Sequence, residues 1–213
     1  MLVSDVMSTN VVSISIHTSL AEARRILDSH GFRRLAVMDK EKLVGIVTKE
    51  ALDRTGPSQL TTFSIHEMSY LLNKITVEQA MRKDVVTVSP HATVEEAVAL
   101  AQDKKVGSLL VVEDQRLIGI VTTNDFFYKV MNHILGIGMT GSRIVVRDCY
   151  KGPDIIKVLA AINEVGLGIT TLFTIELPEV QKHDLVIHLD QDDCRPAVAE
   201  IQRSGYRVRE RSR

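Results

Sequence analysis

Residues 119–125 read GIVTTND and residues 45–51 read GIVTKEA: the same passage from an apolar strand into a helix start, with Asp125 in one copy and Ala51 in the other. The two stretches lie 74 positions apart, and a shift of 74 lays the chain on itself without a gap. Met7 falls on Met81, Val11 and Val12 on Val85 and Val86, His17 on His91, Glu22 and Ala23 on Glu96 and Ala97, and Leu35 on Leu109. Self-similarity at a fixed spacing marks a repeated supersecondary unit, so about the first 130 residues are two copies of one unit.

Each copy has the same internal rhythm. A short apolar strand (VVSI, VVTV) leads to a helix with Leu20, Ala23, Ile26 and Leu27, or Val94, Ala97, Leu100 and Ala101, at helical spacing. Two strands follow (RLAVM and LVGIV; SLLVV and LIGIV), and a second helix starts after the threonine. The unit is β-α-β-β-α. Ser19 and Thr93 stand at N-cap positions with Glu22 and Glu96 three residues on, the spacing of a capping box. The last 70 or so residues read differently, as strand RIVVRDC, a helix with Ile155, Leu159 and Ile162, strands GITTLFTIEL and DLVIHL, helix CRPAVAEIQRS and strand YRVRE. That is a β-α-β-β-α-β order, the split ferredoxin-like arrangement. The fold class is α+β, with the first repeat at 1–53, a linker with its own helix at 54–75, the second repeat at 76–134, a Gly-rich hinge at 135–141 and the C-terminal unit at 142–213.

Composition narrows the function classes. The chain has 213 residues, 45% hydrophobic and 25% charged, with a formal net charge of -1. That balance provides no global field for nucleic acid, and no apolar run approaches the roughly 18 residues of a membrane span. The stretch MLVSDVMSTN carries neither a basic nor an apolar export region, so a cytoplasmic location is expected. Cys149 and Cys194 are isolated and fit buried reduced thiols better than a disulfide or zinc site.

The motifs that invite catalysis fall short of it. His66 and Glu67 begin an HExxH pattern, but Tyr70 stands where the second histidine belongs. Gly136, Gly138 and Gly141 spell GxGxxG, yet a helical pattern precedes them and a strand follows, the reverse of a dinucleotide fingerprint. His17 and His91 occupy equivalent places, which a turn or packing requirement explains. No nucleophile elbow or P-loop is present, and the chain is not expected to be an enzyme.

The two repeats, each with a Gly-hydrophobic-hydrophobic-Thr strand end, resemble a pair of CBS domains, and the C-terminal unit resembles an ACT domain. The order CBS-CBS-ACT is similar to the AcuB-like proteins linked to acetoin utilisation. The resemblance implies an adenine nucleotide (AMP, ADP or ATP) in the cleft between the repeats. Asp125 would take the ribose hydroxyls, Thr122 would approach ribose or phosphate, Asn124 would belong to the same nucleotide site, and Val85, Val86, Val106, Gly107 and Ser108 would face the adenine. Thr48 and Arg34 would reach the phosphates from the other repeat. This chemistry is sound in itself, since a carboxylate suits a vicinal diol and an arginine fork suits phosphate. Ala51 leaves the first copy without the ribose acid, so one competent site and one degenerate site are expected. A competing reading makes Asp125 a helix cap and Arg33 and Arg34 solvated charges.

The C-terminal unit departs from the ACT pattern at the YKGPDI loop, where Pro153 replaces a glycine and removes a donor, and at Gly168, where an asparagine is common. It is therefore expected to supply contacts rather than an amino-acid site. Small sheets with open edges pair readily, so a homodimer that regulates a partner protein is expected. A ligand-free module that assembles or restrains an enzyme is the alternative.

Overall fold

The computed structural model describes residues 1–55, 65–177 and 182–211, which form two compact units, Met1–Phe126 and Phe127–Arg213. Most of the linker stretch TGPSQLTTF, and the side chains of His66 and Glu67, lie outside the described residues.

In the first unit, a short N-terminal turn α1 (Val3–Val6) precedes the first repeat: β1 (Ser13–Ser15), α2 (Leu20–His30), β2 (Arg34–Asp39), β3 (Lys42–Thr48) and α3 (Lys49–Thr55). Helix α4 (Ile65–Lys74) follows, and then the second repeat: β4 (Thr87–Val88), α5 (Val94–Asp103), β5 (Ser108–Glu113), β6 (Arg116–Thr122) and α6 (Thr123–Asp125). Each repeat builds a three-stranded sheet, β1-β2-β3 and β4-β5-β6, with a parallel first pair and an antiparallel second pair. Even the bulges agree, falling between Val37 and Met38 in one sheet and between Val111 and Val112 in the other. The expected caps form: the Ser19 and Thr93 hydroxyls accept from the Glu22 and Glu96 N–H groups, and Glu96 reaches back to the Thr93 N–H.

The strand patterns put Leu35, Val37 and Val47 on the helix-facing side of the first sheet, where they are buried with Leu20, Ala23, Leu27 and Leu52. Leu72 and Ile75 from the end of α4 pack against this core, so the linker helix belongs to the first repeat's packing.

The repeats are locked by an exchange of their leading segments. The Val3 N–H donates to the Ala92 carbonyl at 2.9 Å, and its equivalent Val77 donates to Thr18 at 2.8 Å. Ser8 pairs with Ile120 of β6, and Arg82 with Ile46 of β3, through reciprocal backbone hydrogen bonds of 2.9–3.0 Å. The glycine of each Gly-hydrophobic-hydrophobic-Thr stretch makes this crossing possible. A Cβ on Gly119 would stand 2.6 Å from the Met7 sulfur and 3.3 Å from the Ser8 carbonyl oxygen, and a Cβ on Gly45 would meet Met81 and Arg82 at 2.5 and 3.2 Å. The matched methionines and glycines of the repeat are thus two sides of the same pair of contacts.

The second unit begins with π-helical turns and α7 (Asn132–Leu135), then runs β7 (Arg143–Val146), α8 (Gly152–Glu164), β8 (Ile169–Leu177), β9 (Lys182–Leu189), α9 (Arg195–Arg203) and β10 (Val208–Arg211). The β-α-β-β-α-β order is the one the periodicity gives, and the sheet runs β10-β7-β9-β8 with every pair antiparallel. Leu185, Ile187 and Leu189 of β9 face α8 and α9 and form the core with Ile144, Val158, Ile162 and Ile201. Cys149 and Cys194 are free thiols buried in that core, and burial pushes both above the ordinary thiol range.

The compact units divide between Phe126 and Phe127, and the Gly-rich stretch 135–141 makes its contacts within the second of them. Gly136 lies against the His188 ring, the Gly141 N–H donates to Asp192 at 3.0 Å, and the Ser142 hydroxyl donates to the Gln191 carbonyl at 2.7 Å.

Candidate functional site

The first unit holds two clefts between its repeats. The first, of about 400 Å³, has Asp125, Thr122 and Asn124 on one side and Val11, Val12 and Phe32 on the other. The second, of about 510 Å³, is lined by Thr48, Ala51, Val85, Val86, Val106 and Ser108. A shift of 74 residues turns Val11, Val12, Phe32, Thr122 and Asp125 into Val85, Val86, Val106, Thr48 and Ala51, so the clefts are images of each other under the internal repeat.

The resemblance implies one site for these residues, and the structure divides them between the two clefts. Asp125, Thr122 and Asn124 sit together as expected. Val85, Val86, Val106, Ser108 and Thr48 do not join them; they line the second cleft, beside the alanine. Arg34 and Gly107 reach both. The physical reason is the exchange of leading segments. Ser8 pairs with Ile120 and so carries Val11 and Val12 to β6 and Asp125, while Arg82 pairs with Ile46 and carries Val85 and Val86 to β3 and Ala51. The residues that sequence reasoning missed, Val11, Val12 and Phe32, are the 74-residue equivalents of those it chose.

Asp125 has a local role as well. Its Oδ2 accepts from the Thr122 N–H at 2.9 Å and from the Thr122 hydroxyl at 2.7 Å, while the Asp125 N–H donates back to Thr122 Oγ1. This is a capping box at the cleft wall. In the first repeat only half of it survives: the Ala51 N–H donates to Thr48 Oγ1 at 3.2 Å, with no carboxylate to answer.

The remaining lining gives the first cleft its ligand chemistry. Phe32 is 39% exposed and stacks on His30, with ring centroids 5.3 Å apart, so an aromatic face is held ready for a flat partner. Arg33 and Arg34 supply positive charge at the same cleft. The Arg34 guanidinium lies 3.5 Å from where a Cβ on Gly107 would stand, so it spans from β2 to the start of β5. Burial pushes the Arg34 group below its ordinary value, with the Arg33 charge acting in the same sense and Glu50 against it. A half-buried cation beside another cation is stabilised by an incoming anion. The described residues include no group of three His, Cys, Asp or Glu side chains able to hold a metal, and no helix long and apolar enough to cross a membrane.

Comparison with known proteins agrees with the tandem repeat. The CBS domain family matches residues 3–55 and 77–132, the two repeats. The chain belongs to the CBS domain family. It is 34% identical over 122 residues to the inosine-5'-monophosphate dehydrogenase of Korarchaeum cryptofilum, a match covering 56% of this chain and 22% of that enzyme. It is 30% identical over 125 residues to a homoserine O-acetyltransferase of Methanohalobium evestigatum, covering 58% of this chain and 23% of the other. The matched stretch thus spans less than a quarter of these curated relatives. Among solved structures, a Vibrio cholerae protein named for acetoin utilization, AcuB, superposes with a TM-score of 0.51 at 27% identity, over 62% of this chain and 91% of that one. The CBS domain pair of protein MJ0100, solved in complex with 5-methylthioadenosine and S-adenosyl-L-methionine, superposes with a TM-score of 0.51 at 26% identity, over 62% of this chain and 97% of that one.

Proposed function

We propose that this chain is a regulatory protein that binds an adenine nucleotide in its first cleft and passes the signal on through its CBS or C-terminal surfaces. The observation that carries the reading is the convergence, in one cleft, of the Asp125 carboxylate, the Thr122 hydroxyl, the apolar Val11 and Val12, the exposed Phe32 ring and two arginines. Asp125 takes the ribose diol, Phe32 and the valines hold the adenine, and Arg34 approaches the phosphates. The MJ0100 pair, solved with two adenosine-derived ligands, supports this chemistry by analogy. AMP, ADP and ATP all fit the donor set. The protein acts as a cytoplasmic sensor rather than a catalyst, on a partner protein.

The test is a thermal-shift panel of adenosine, AMP, ADP and ATP. A ligand of the folded state alone raises stability by RT ln(1 + [L]/Kd), about 2.7 kcal/mol at a hundredfold excess over Kd. At least one nucleotide is expected to raise the melting temperature saturably, and Arg34→Ala is expected to weaken ATP more than adenosine, with the gap closing as salt rises. No shift with any of them would leave the ligand-free module. One observation favours that second reading: Asp125 Oδ2 already serves the helix cap.

The C-terminal unit is proposed as an ACT-like contact domain. Its β-α-β-β-α-β order and the β10-β7-β9-β8 sheet support that reading. Pro153 lies in the first turn of α8, and Gly168 is held by the Asp190 carboxylate, which accepts its N–H at 2.9 Å, so neither position favours an amino-acid ligand. Strand β8 lies at the sheet's edge with Ile169, Leu172 and Ile175 exposed, which favours a homodimer. Light scattering is expected to give twice the chain mass at micromolar concentration. The mass of a single chain would refute the dimer.

A further inference from the structure

The second cleft is the image of the first, but its chemistry differs at several lining positions. Ala51 replaces the ribose acid and Val106 replaces the exposed Phe32 ring. Arg82 stands in place of Ser8 and Lys105 in place of Gly31, and Arg54 is added from α3. With Arg34, four cations line this cleft against two carboxylates, Glu50 and Asp84. Arg82 is held by Asp84 at 3.5 Å, whereas Arg34, Arg54 and Lys105 form no ion pair among the described residues. The Thr48 hydroxyl accepts the Ala51 N–H and keeps its own proton to donate.

We propose that the second cleft binds a phosphate-bearing anion through its phosphate groups, without a nucleoside. The two features proposed to hold adenosine in the first cleft, the acid at the Asp125 position and the aromatic face of Phe32, are replaced here by Ala51 and Val106. The lining adds positive charge in a concavity, where field lines converge and an anion meets several donors at once. Arginine forks suit the oxygens of a phosphate group, and Lys105 adds a mobile point charge. Glu50 and Asp84 repel surplus negative charge, so a compact oligophosphate is favoured over an extended polyanion. A volume of about 510 Å³ accommodates such a group with its hydration. Arg34 reaches both clefts, but Arg54, Arg82 and Lys105 do not line the first, so the inference does not depend on nucleotide binding there.

The test is calorimetric titration of the full chain with inorganic pyrophosphate, with phosphorus NMR line broadening as a second readout. Pyrophosphate is expected to bind, and to bind less tightly as ionic strength rises. The double variant Arg54→Ala/Lys105→Ala is expected to lose tenfold or more in affinity. Both side chains are exposed and unpaired among the described residues, so the variant keeps its fold. Asp125→Ala is expected to leave pyrophosphate binding within about twofold, because the probe has no ribose, and this separates the result from the fate of the first cleft. Three outcomes overturn the proposal: no binding at millimolar pyrophosphate, unchanged affinity in the double variant, or displacement of pyrophosphate by adenosine.

Discussion

Gly141→Ala is expected to destabilise the C-terminal unit by about 3 kcal/mol, the sum of a disfavoured backbone conformation and a steric overlap. Gly141 has a φ of 103°, outside the regions open to residues with a Cβ, and a Cβ there would overlap the Leu189 carbonyl oxygen. The neighbour is backbone of the central strand β9, so it cannot turn aside as a flexible side chain would. The Gly141 N–H is also tied to Asp192, and the next residue to Gln191, so any shift of the chain breaks those bonds. Hydrogen exchange reads the effect unit by unit. Amides of β7 and β9 are expected to exchange on the order of a hundredfold faster, since each 1.4 kcal/mol is a factor of ten, while those of β5 and β6 keep their protection. Unchanged exchange in β9 would show that the 135–141 stretch is a loose connection after all.

Asp125→Ala is expected to weaken adenine nucleotide binding by tenfold or more, because hydrogen bonds to a charged group contribute about 1.5 to 3 kcal/mol. The same change removes the N3 half of a capping box and so lowers stability. The two effects separate the readings of this residue. A carboxylate that serves only as a cap gives a lower melting temperature with unchanged affinity. One that also grips ribose gives both losses. The reciprocal variant, Ala51→Asp, restores the acid to the second cleft and completes its half-formed cap with Thr48.

The repeat was legible in the sequence because tandem units keep their spacing: a single shift of 74 aligns strands, caps, glycines and methionines together. The C-terminal element order was legible from periodicity, with Leu185, Ile187 and Leu189 alternating along β9 onto the helix-facing side. The grouping of the site was not. Which valine pair meets Asp125 depends on isolated bridges between Ser8 and Ile120 and between Arg82 and Ile46, pairings more than a hundred and more than thirty residues apart. No local pattern encodes them. Their one trace is the glycine at 45 and 119, which reads as part of a ligand motif until the crossing Met81 and Met7 are seen against it. The packing of residues 135–141 was hidden for a similar reason. GMTGS reads as a breaker, and only the partners Asp192 and Gln191, some fifty residues on, make it a packed strap.

A crystal of the full chain soaked with AMP tests the central claim most directly, because it asks which of two repeat-related clefts holds the nucleoside. The account predicts adenine between Val11, Val12 and Phe32, with the ribose hydroxyls within hydrogen-bond distance of Asp125. Adenine seated instead against Val85 and Val86 beside Ala51, with the first cleft empty at saturating AMP, would contradict it.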